Sequence, residues 1–241
     1  MSSIRVGTWN IACAAAPRYR CHHLDKMVGV LKKAGCDILL FQEVDKNKER
    51  TQYRDITALF AEGLEMHAFF APAIKDDSGA YGNAVLSRQE LLDVSSVALG
   101  PDLGDGDSEH EPRSAACATV KINNIDIRVF STHLANSYGK PSAIRREQIR
   151  ALKNHLELSS TILGGGDFNV VLNLSDLDVL REVVKPLCPD IGPTCSLDEE
   201  ESLSLAIDHI YGRGLAAIHS EKHSFPELSD HCLVIADVMA I

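Results

Sequence analysis

The sequence predicts an α/β fold in which two β-sheets pack together and carry helices on their outer faces. Three observations predict it. Apolar runs of strand length end in polar clusters, a strand-helix-strand plan occurs once in each half at nearly equal spacing, and further strand-like runs lie between the two.

The first unit begins with Ile4-Arg5-Val6-Gly7-Thr8-Trp9-Asn10-Ile11, a strand pattern. Leu24, Met27, Val28 and Leu31 then recur at helical spacing, and Cys36-Asp37-Ile38-Leu39-Leu40-Phe41 reads as a buried strand running into Gln42-Glu43-Val44. The strand-like runs Val94–Leu99 and Ala115–Val120 follow, separated by a Gly- and Asp-rich stretch from Gly100 to Pro112 that reads as a long exposed loop. The second unit repeats the first. Ile125–Phe130 ends in Ser131-Thr132-His133-Leu134, a helix presents Ile149, Leu152 and Leu156 on one face, and Thr161–Gly166 leads into Asp167-Phe168-Asn169. From Asn10 to Glu43 is 33 residues, and from His133 to Asp167 is 34. Leu177, Leu180 and Val184 mark another amphipathic helix, and short strands carry Ile207-Asp208-His209-Ile210-Tyr211 and Ser229-Asp230-His231 leading into Cys232–Ile235.

With 241 residues, 45% apolar and 24% charged, the chain has the composition of a globular protein that buries a large core, and one domain over 1–241 is expected. No apolar run approaches the roughly 20 residues of a membrane helix, and the start lacks the pattern of a secretory signal, so a cytoplasmic monomer without a membrane span is expected. Seven cysteines without a Cys-x-x-Cys pair read as free, mostly buried thiols. A net charge of −10 argues against broad electrostatic attraction to nucleic acid, although a carboxylate cluster around a cation would itself supply part of it.

Polar residues at the carboxyl ends of buried strands are where α/β proteins build ligand sites, so Asn10, Glu43, His133, Asp167, Asn169, Asp208, Asp230 and His231 are expected to converge. Hydrolysis of a phosphoester needs charge neutralised on the phosphoryl oxygens, an aligned water, and a stabilised leaving oxygen. Mg²⁺ on Glu43 with help from Asn10 suits the first and last, and a histidine paired with a carboxylate suits the rest. Taken singly, each residue has a structural reading: a solvated glutamate, a turn-forming asparagine, an Asp-x-Asn turn after glycines, a satisfied histidine. Their joint placement at strand ends favours the chemical reading. A zinc hydrolase would be expected to show a tight His-x-x-x-His or Cys-x-x-Cys set, which the sequence lacks.

In order along the chain, Thr8-Trp9-Asn10-Ile11, Gln42-Glu43-Val44, Ser131-Thr132-His133-Leu134, Gly166-Asp167-Phe168-Asn169, Ile207-Asp208-His209-Ile210 and Ser229-Asp230-His231 resemble the motifs of the endonuclease/exonuclease/phosphatase superfamily. Tyr81–Arg88 and Glu111–Ala115 also resemble its bacterial members. The resemblance implies a four-layered, DNase I-like α/β sandwich and a Mg²⁺ or Mn²⁺ site. It implies that Glu43 is the main metal ligand with Asn10 beside it, and that Asp230 is a metal-site acid. Asp167 would orient or deprotonate the attacking water, Asn169 and His133 would position phosphate, and His231 would contact the transferring phosphoryl group with Asp208 orienting it. Arg113 and Asn83 are candidate substrate contacts. Leu205-Ala206 stands where many members carry a polar residue before Ile-Asp-His.

The expected substrate is a phosphoester, with a nuclease as the alternative and a silent binding module as a further one. Acidic residues at 102–111 and 198–201 would repel a long polyanion, and aromatic residues make up only 5% of the chain, too few to suggest a base-stacking platform. Arg145, Arg146, Arg150 and Lys153 on the helix after His133 are the one run that could meet a phosphate backbone, against the simpler reading of a solvated helix face.

Overall fold

A computed structural model describes residues 3–14, 23–100, 111–137, 140–196 and 204–241. One six-stranded sheet has the order β13 (Leu215–His223), β14 (Leu233–Ala240), β1 (Ile4–Asn10), β2 (Ile38–Lys46), β4 (Gly79–Ser87) and β3 (His67–Asp76). The other has the order β5 (Leu91–Ala98), β6 (Ser114–Ile122), β7 (Ile125–His133), β8 (Ile162–Asp167), β12 (Asp208–Arg213) and β9 (Lys185–Pro186), and a two-stranded ribbon joins β10 (Cys195–Ser196) to β11 (Ser204–Leu205). Helices α1 (Leu24–Ala34) and α2 (Ile56–Leu64) cover the first sheet, and α3 (Ala143–Leu156) and α4 (Asp178–Arg181) cover the second.

Period-2 alternation along the strands generates this layering. Val6, Ile38, Leu40 and Val85 of the first sheet face Ile127, Val129, Leu163 and Ile210 of the second in a central core. Their neighbours point the other way. Trp9, Leu39 and Phe41 meet Met27 and Leu31 of α1 and Ile56 and Phe60 of α2. Phe130, Ile162 and Tyr211 meet Ile149, Leu152 and Leu156 of α3. Each fully buried aliphatic or aromatic side chain contributes about 1.5–3 kcal/mol, so three such cores hold the four layers together.

Both strand-helix-strand units form as expected, with β1 parallel to β2 and β7 parallel to β8. Asp55 and Ser142 cap α2 and α3 by accepting from Ala58 N and Arg145 N, and Gly35 ends α1 in the left-handed conformation that its missing Cβ allows. The helix expected at Leu177, Leu180 and Val184 is shorter: a 3-10 turn, Ser175–Leu177, precedes the single turn of α4. Pro186 cannot donate a helical hydrogen bond and disfavours helix at the residue before it, so the chain passes instead into β9 beside β12.

The three glycines before Asp167 lie within β8 and form no turn. A Cβ on Gly164 would sit 2.2 Å from the Phe130 ring, and one on Gly166 would sit 1.8 Å from Thr132 O at a φ of 151°. Side chains are excluded there because β7 and the Phe130 ring approach so closely. Among the described residues no helix is long and apolar enough to cross a membrane. Positions 101–110 and the acidic run 198–201 lie outside the described residues. The described cysteines are free, with Cys13, Cys36, Cys117, Cys188 and Cys195 buried and Cys232 partly so.

Candidate active site

The inward-facing register of each sheet ends in polar residues, and these ends meet at one margin of the central core. On β7 the series Ile127, Val129 continues to Ser131 and His133; on β8 Leu163 continues to Asp167. Strand pairing sets His133 and Asp208 on either side of Asp167. In the other sheet, Val6 continues through Thr8 to Asn10, which pairs with Gln42.

Glu43 reaches the same face through a β-bulge. Between Phe41 and Val44 the register of β2 against β4 slips by one residue, so Gln42 and Glu43 together oppose Asn83. Phe41 and Val44 both remain in the outer core with the helices, which leaves both bulge residues for the inner face. Glu43 has a φ of 55°, an uncommon conformation for a residue with a Cβ and one that costs on the order of 1–3 kcal/mol.

A buried polar network joins the sheets. Asn10 Nδ2 donates to Glu43 Oε1 and to Asp167 Oδ2, each at 3.1 Å, while Asn10 Oδ1 accepts from Ala12 N. Gln42 Nε2 donates to Ser131 Oγ at 2.9 Å, and Ser131 Oγ donates to Phe41 O. Asn169, held at a φ of 52°, donates its backbone N–H to Asp167 Oδ1 at 2.9 Å. Its side-chain amide donates to Leu134 O and lies 3.0 Å from His133 Nε2. With Nε2 accepting, His133 is neutral, the form favoured by burial and by the nearby charges of Arg113 and His231, which push its pKa well below the usual value.

His231 has the opposite character. Its Nδ1 lies 2.9 Å from Asp208 Oδ2 and its Nε2 lies 3.7 Å from Asp167 Oδ2. Burial opposes a charge on the ring, but Asp208 and Asp167 outweigh it and hold the pKa well above the usual value. Asp208 is itself fixed by Thr194, whose hydroxyl donates to Oδ2 at 2.6 Å while accepting from the N–H groups of Ile207 and Asp208. Ser229 Oγ accepts from His231 N and donates to Asn10 O, and Trp9 Nε1 donates to His231 O, so the last motif is tied to the first. Burial raises the Asp167 carboxyl, with His231 opposing, and burial also raises that of Glu43, with the Asn10 hydrogen bond opposing.

A family model described as the Endonuclease/Exonuclease/phosphatase family matches residues 7–231. The chain belongs to the endonuclease/exonuclease/phosphatase family. No curated protein matches the chain to the same standard. Its structure is similar to an endonuclease/exonuclease/phosphatase of Beutenbergia cavernae, with a TM-score of 0.80 at 20% identity, covering 100% of this chain and 72% of that one. A Bacteroides vulgatus member gives a TM-score of 0.80 at 19% identity, with 100% of both chains covered. A mannosyl-6-phosphatase of Bacteroides thetaiotaomicron gives 0.71 at 15% identity, covering 98% of this chain and 100% of its own. These likenesses establish the DNase I-like sandwich, and membership in the endonuclease/exonuclease/phosphatase family sets the general chemistry as phosphoester hydrolysis.

Within this family member, Asn10, Glu43, His133, Asp167, Asn169, Asp208 and His231 are joined by direct contacts. Asp230 is exposed, beside them in sequence and near enough to Glu43 to oppose its ionisation. Arg113 and Asn83 are buried rather than on the surface: Arg113 Nη1 lies 3.2 Å from Glu111 Oε1, and Asn83 Nδ2 donates to Ser114 O across the seam. His133 Nδ1, Arg113 Nε and Asn83 Oδ1 are buried without a hydrogen-bond partner among the described residues. Thr194 was not legible as a site residue, because no short motif surrounds it and its partner Asp208 is 14 residues away.

Each cation of the basic run on α3 has an acidic partner. Arg145 is fully buried and holds Asp176 at 2.6 Å, Arg146 shares Asp176 at 2.9 Å, Arg150 pairs with Glu147, and Lys153 pairs with Glu182 at 2.6 Å.

Proposed function

We propose that this protein is a phosphoester hydrolase dependent on Mg²⁺ or Mn²⁺ and acting on a small phosphodiester or phosphomonoester by in-line attack of water. The observation that carries the reading is the convergence on one seam of a Glu43–Asn10–Asp167 cluster and an Asp208–His231 pair. The donor set suits a hard cation: Glu43 and Asp230 offer carboxylate oxygens, Asn10 an amide, and among the described residues no lysine or arginine ion-pairs with Glu43. When bound, the ion neutralises charge on the phosphoryl and departing oxygens.

The remaining roles fall to the chain's own groups. Asp167 aligns a water and accepts its proton as the oxygen bonds to phosphorus and the opposite P–O bond breaks. His231, kept cationic by Asp208, donates from Nε2 to a phosphoryl oxygen. Asn169 and His133 flank Asp167, with the unpartnered His133 Nδ1 and Arg113 Nε available to donate to phosphate and Asn83 Oδ1 to accept from a substrate hydroxyl.

The commitment of the α3 cations to acidic partners and the net charge of −10 favour a small substrate over a polynucleotide. Turnover of a generic phosphodiester, a sugar phosphate and plasmid or abasic-site DNA is to be compared with Mg²⁺ and Mn²⁺. Small esters should be hydrolysed, EDTA should abolish hydrolysis, and Asp167→Ala and His231→Ala should each remove it. Undiminished turnover in either variant refutes the proposal, and DNA cleavage with steep salt dependence replaces it with a nuclease.

A further inference from the structure

One set of ligating side chains beside the site is not used by the proposed hydrolysis as a unit. Single ligand atoms of Cys195, Asp230 and His231 lie within 4.8 Å of one another. We propose that these three residues form a Zn²⁺ site, and that its occupation inhibits the enzyme by withdrawing His231 and Asp230 from the reaction. The binding claim stands on its own, and the inhibition claim rests on the function proposed above.

The site is held by backbone as well as side chains. Cys195 and His231 form an antiparallel bridge, Ser196 N donates to Asp230 O, and Cys232 N donates to Thr194 O, so the three ligands sit on two mutually braced segments. Asp208 engages His231 Nδ1 and leaves Nε2 as the nitrogen without a carboxylate hydrogen bond. A carboxylate on one imidazole nitrogen with the other turned to metal is the usual arrangement around protein-bound zinc. Cys195 Sγ makes a 3.8 Å contact to Ser196 O and a side-chain hydrogen bond with the His231 ring, and it forms no disulfide, so thiol and imidazole already face each other. Cys195 and His231 are buried while Asp230 is exposed, which gives an ion a route from solvent.

The ligand chemistry separates this site from that of the activating ion. A thiolate and an imidazole select zinc over magnesium, whereas the Glu43 cluster offers oxygen ligands. Binding exchanges the Cys195 S–H proton for the metal, releasing that proton to solvent, and three protein ligands leave the fourth tetrahedral position to water or a phosphate oxygen.

The test titrates the metal-stripped full chain with Co²⁺ alone, then competes it with Zn²⁺. The wild type should bind one Co²⁺ with a sulfur-to-cobalt charge-transfer band that Zn²⁺ abolishes. Cys195→Ser should lack the band, bind Zn²⁺ at least about tenfold more weakly, keep its Mg²⁺-supported turnover, and require about tenfold more Zn²⁺ for half-inhibition. Asp230→Asn should keep the band but weaken the affinity, an independent check if Cys195→Ser misfolds. Absence of the band in the wild type, its persistence in Cys195→Ser, or inhibition of both proteins at the same Zn²⁺ concentration overturns the proposal. A protein that hydrolyses nothing yet shows the Cys195-dependent band sinks the hydrolase reading and leaves the zinc site intact.

Discussion

Asn10 binds carboxylates of both sheets with one nitrogen, donating to Glu43 and to Asp167 at 3.1 Å each. Removing that donor leaves the buried Asp167 and the partly buried Glu43 carboxylates without the group that separates and orients them. Asn10→Ala is expected to weaken Mg²⁺ affinity by roughly 10–100-fold, the usual effect of losing a ligand-orienting partner. Calorimetric metal titration checks this; unchanged affinity would show that Glu43 is oriented by other groups.

Asp208 is expected to act through His231 alone. Asp208→Asn keeps the shape but removes the negative charge that makes the imidazole cationic, so kcat should fall by roughly 10²–10³ with little change in KM. Steady-state kinetics of the variant separate the two parameters. The NMR titration of His231 in metal-free protein should move to lower pH at the same time.

Gly166 tests the close approach of β7 and β8. Because an added Cβ would meet Thr132 O at 1.8 Å, Gly166→Ala should destabilise the protein by about 3 kcal/mol or more. Denaturant unfolding measures it, and a loss below about 1 kcal/mol would mean that the strands separate easily.

The α3 cations are expected to divide into structural and dispensable ones. Arg145→Met leaves the buried Asp176 carboxylate with only the half-exposed Arg146 and the Ser142 N–H as partners and should cost about 3 kcal/mol in denaturant unfolding. Arg150→Glu with Lys153→Glu should leave turnover within twofold, whereas a sharp fall on DNA alone would restore that face as a polyanion contact.

The buried His209 gives a stability term of definite sign. Its Nε2 lies 2.7 Å from Val170 O, and burial lowers its pKa, so the unfolded chain binds the proton more readily. Its contribution is present above the unfolded value of about 6.5 and is lost as pH falls below it. His209→Phe, placed against Phe168 and Tyr211, should cost about 1 kcal/mol at neutral pH and flatten the fall of Tm between about pH 7 and pH 5. An unaltered slope would assign that fall to other groups.

The two parallel strand-helix-strand units were legible because the apolar runs around Val6, Ile38, Val129 and Leu163 alternate or stay apolar through to a polar end. Asn10, His133, Asp167 and Asp208 were legible for the same reason, since each follows the period of its strand, whereas Asn169, Asp230 and His231 lie beyond strand ends and were legible from their short motifs. Glu43 falls out of phase, and its inward placement depends on a bulge defined by the partner strand, which the local sequence does not encode. The burial of Arg145 was hidden because its counter-charge, Asp176, is 31 residues away. Thr194, Cys195 and their contacts to Asp208 and His231 likewise exist only after distant segments dock.

The bulge in β2 makes the chemistry depend on a count of residues. Deleting either Gln42 or Glu43 would restore an uninterrupted ladder with β4, and the sandwich could keep its cores while retaining only one inward side chain opposite Asn83. A chain one residue shorter could thus fold normally and still be inert, so folding and activity can be lost separately at this single position.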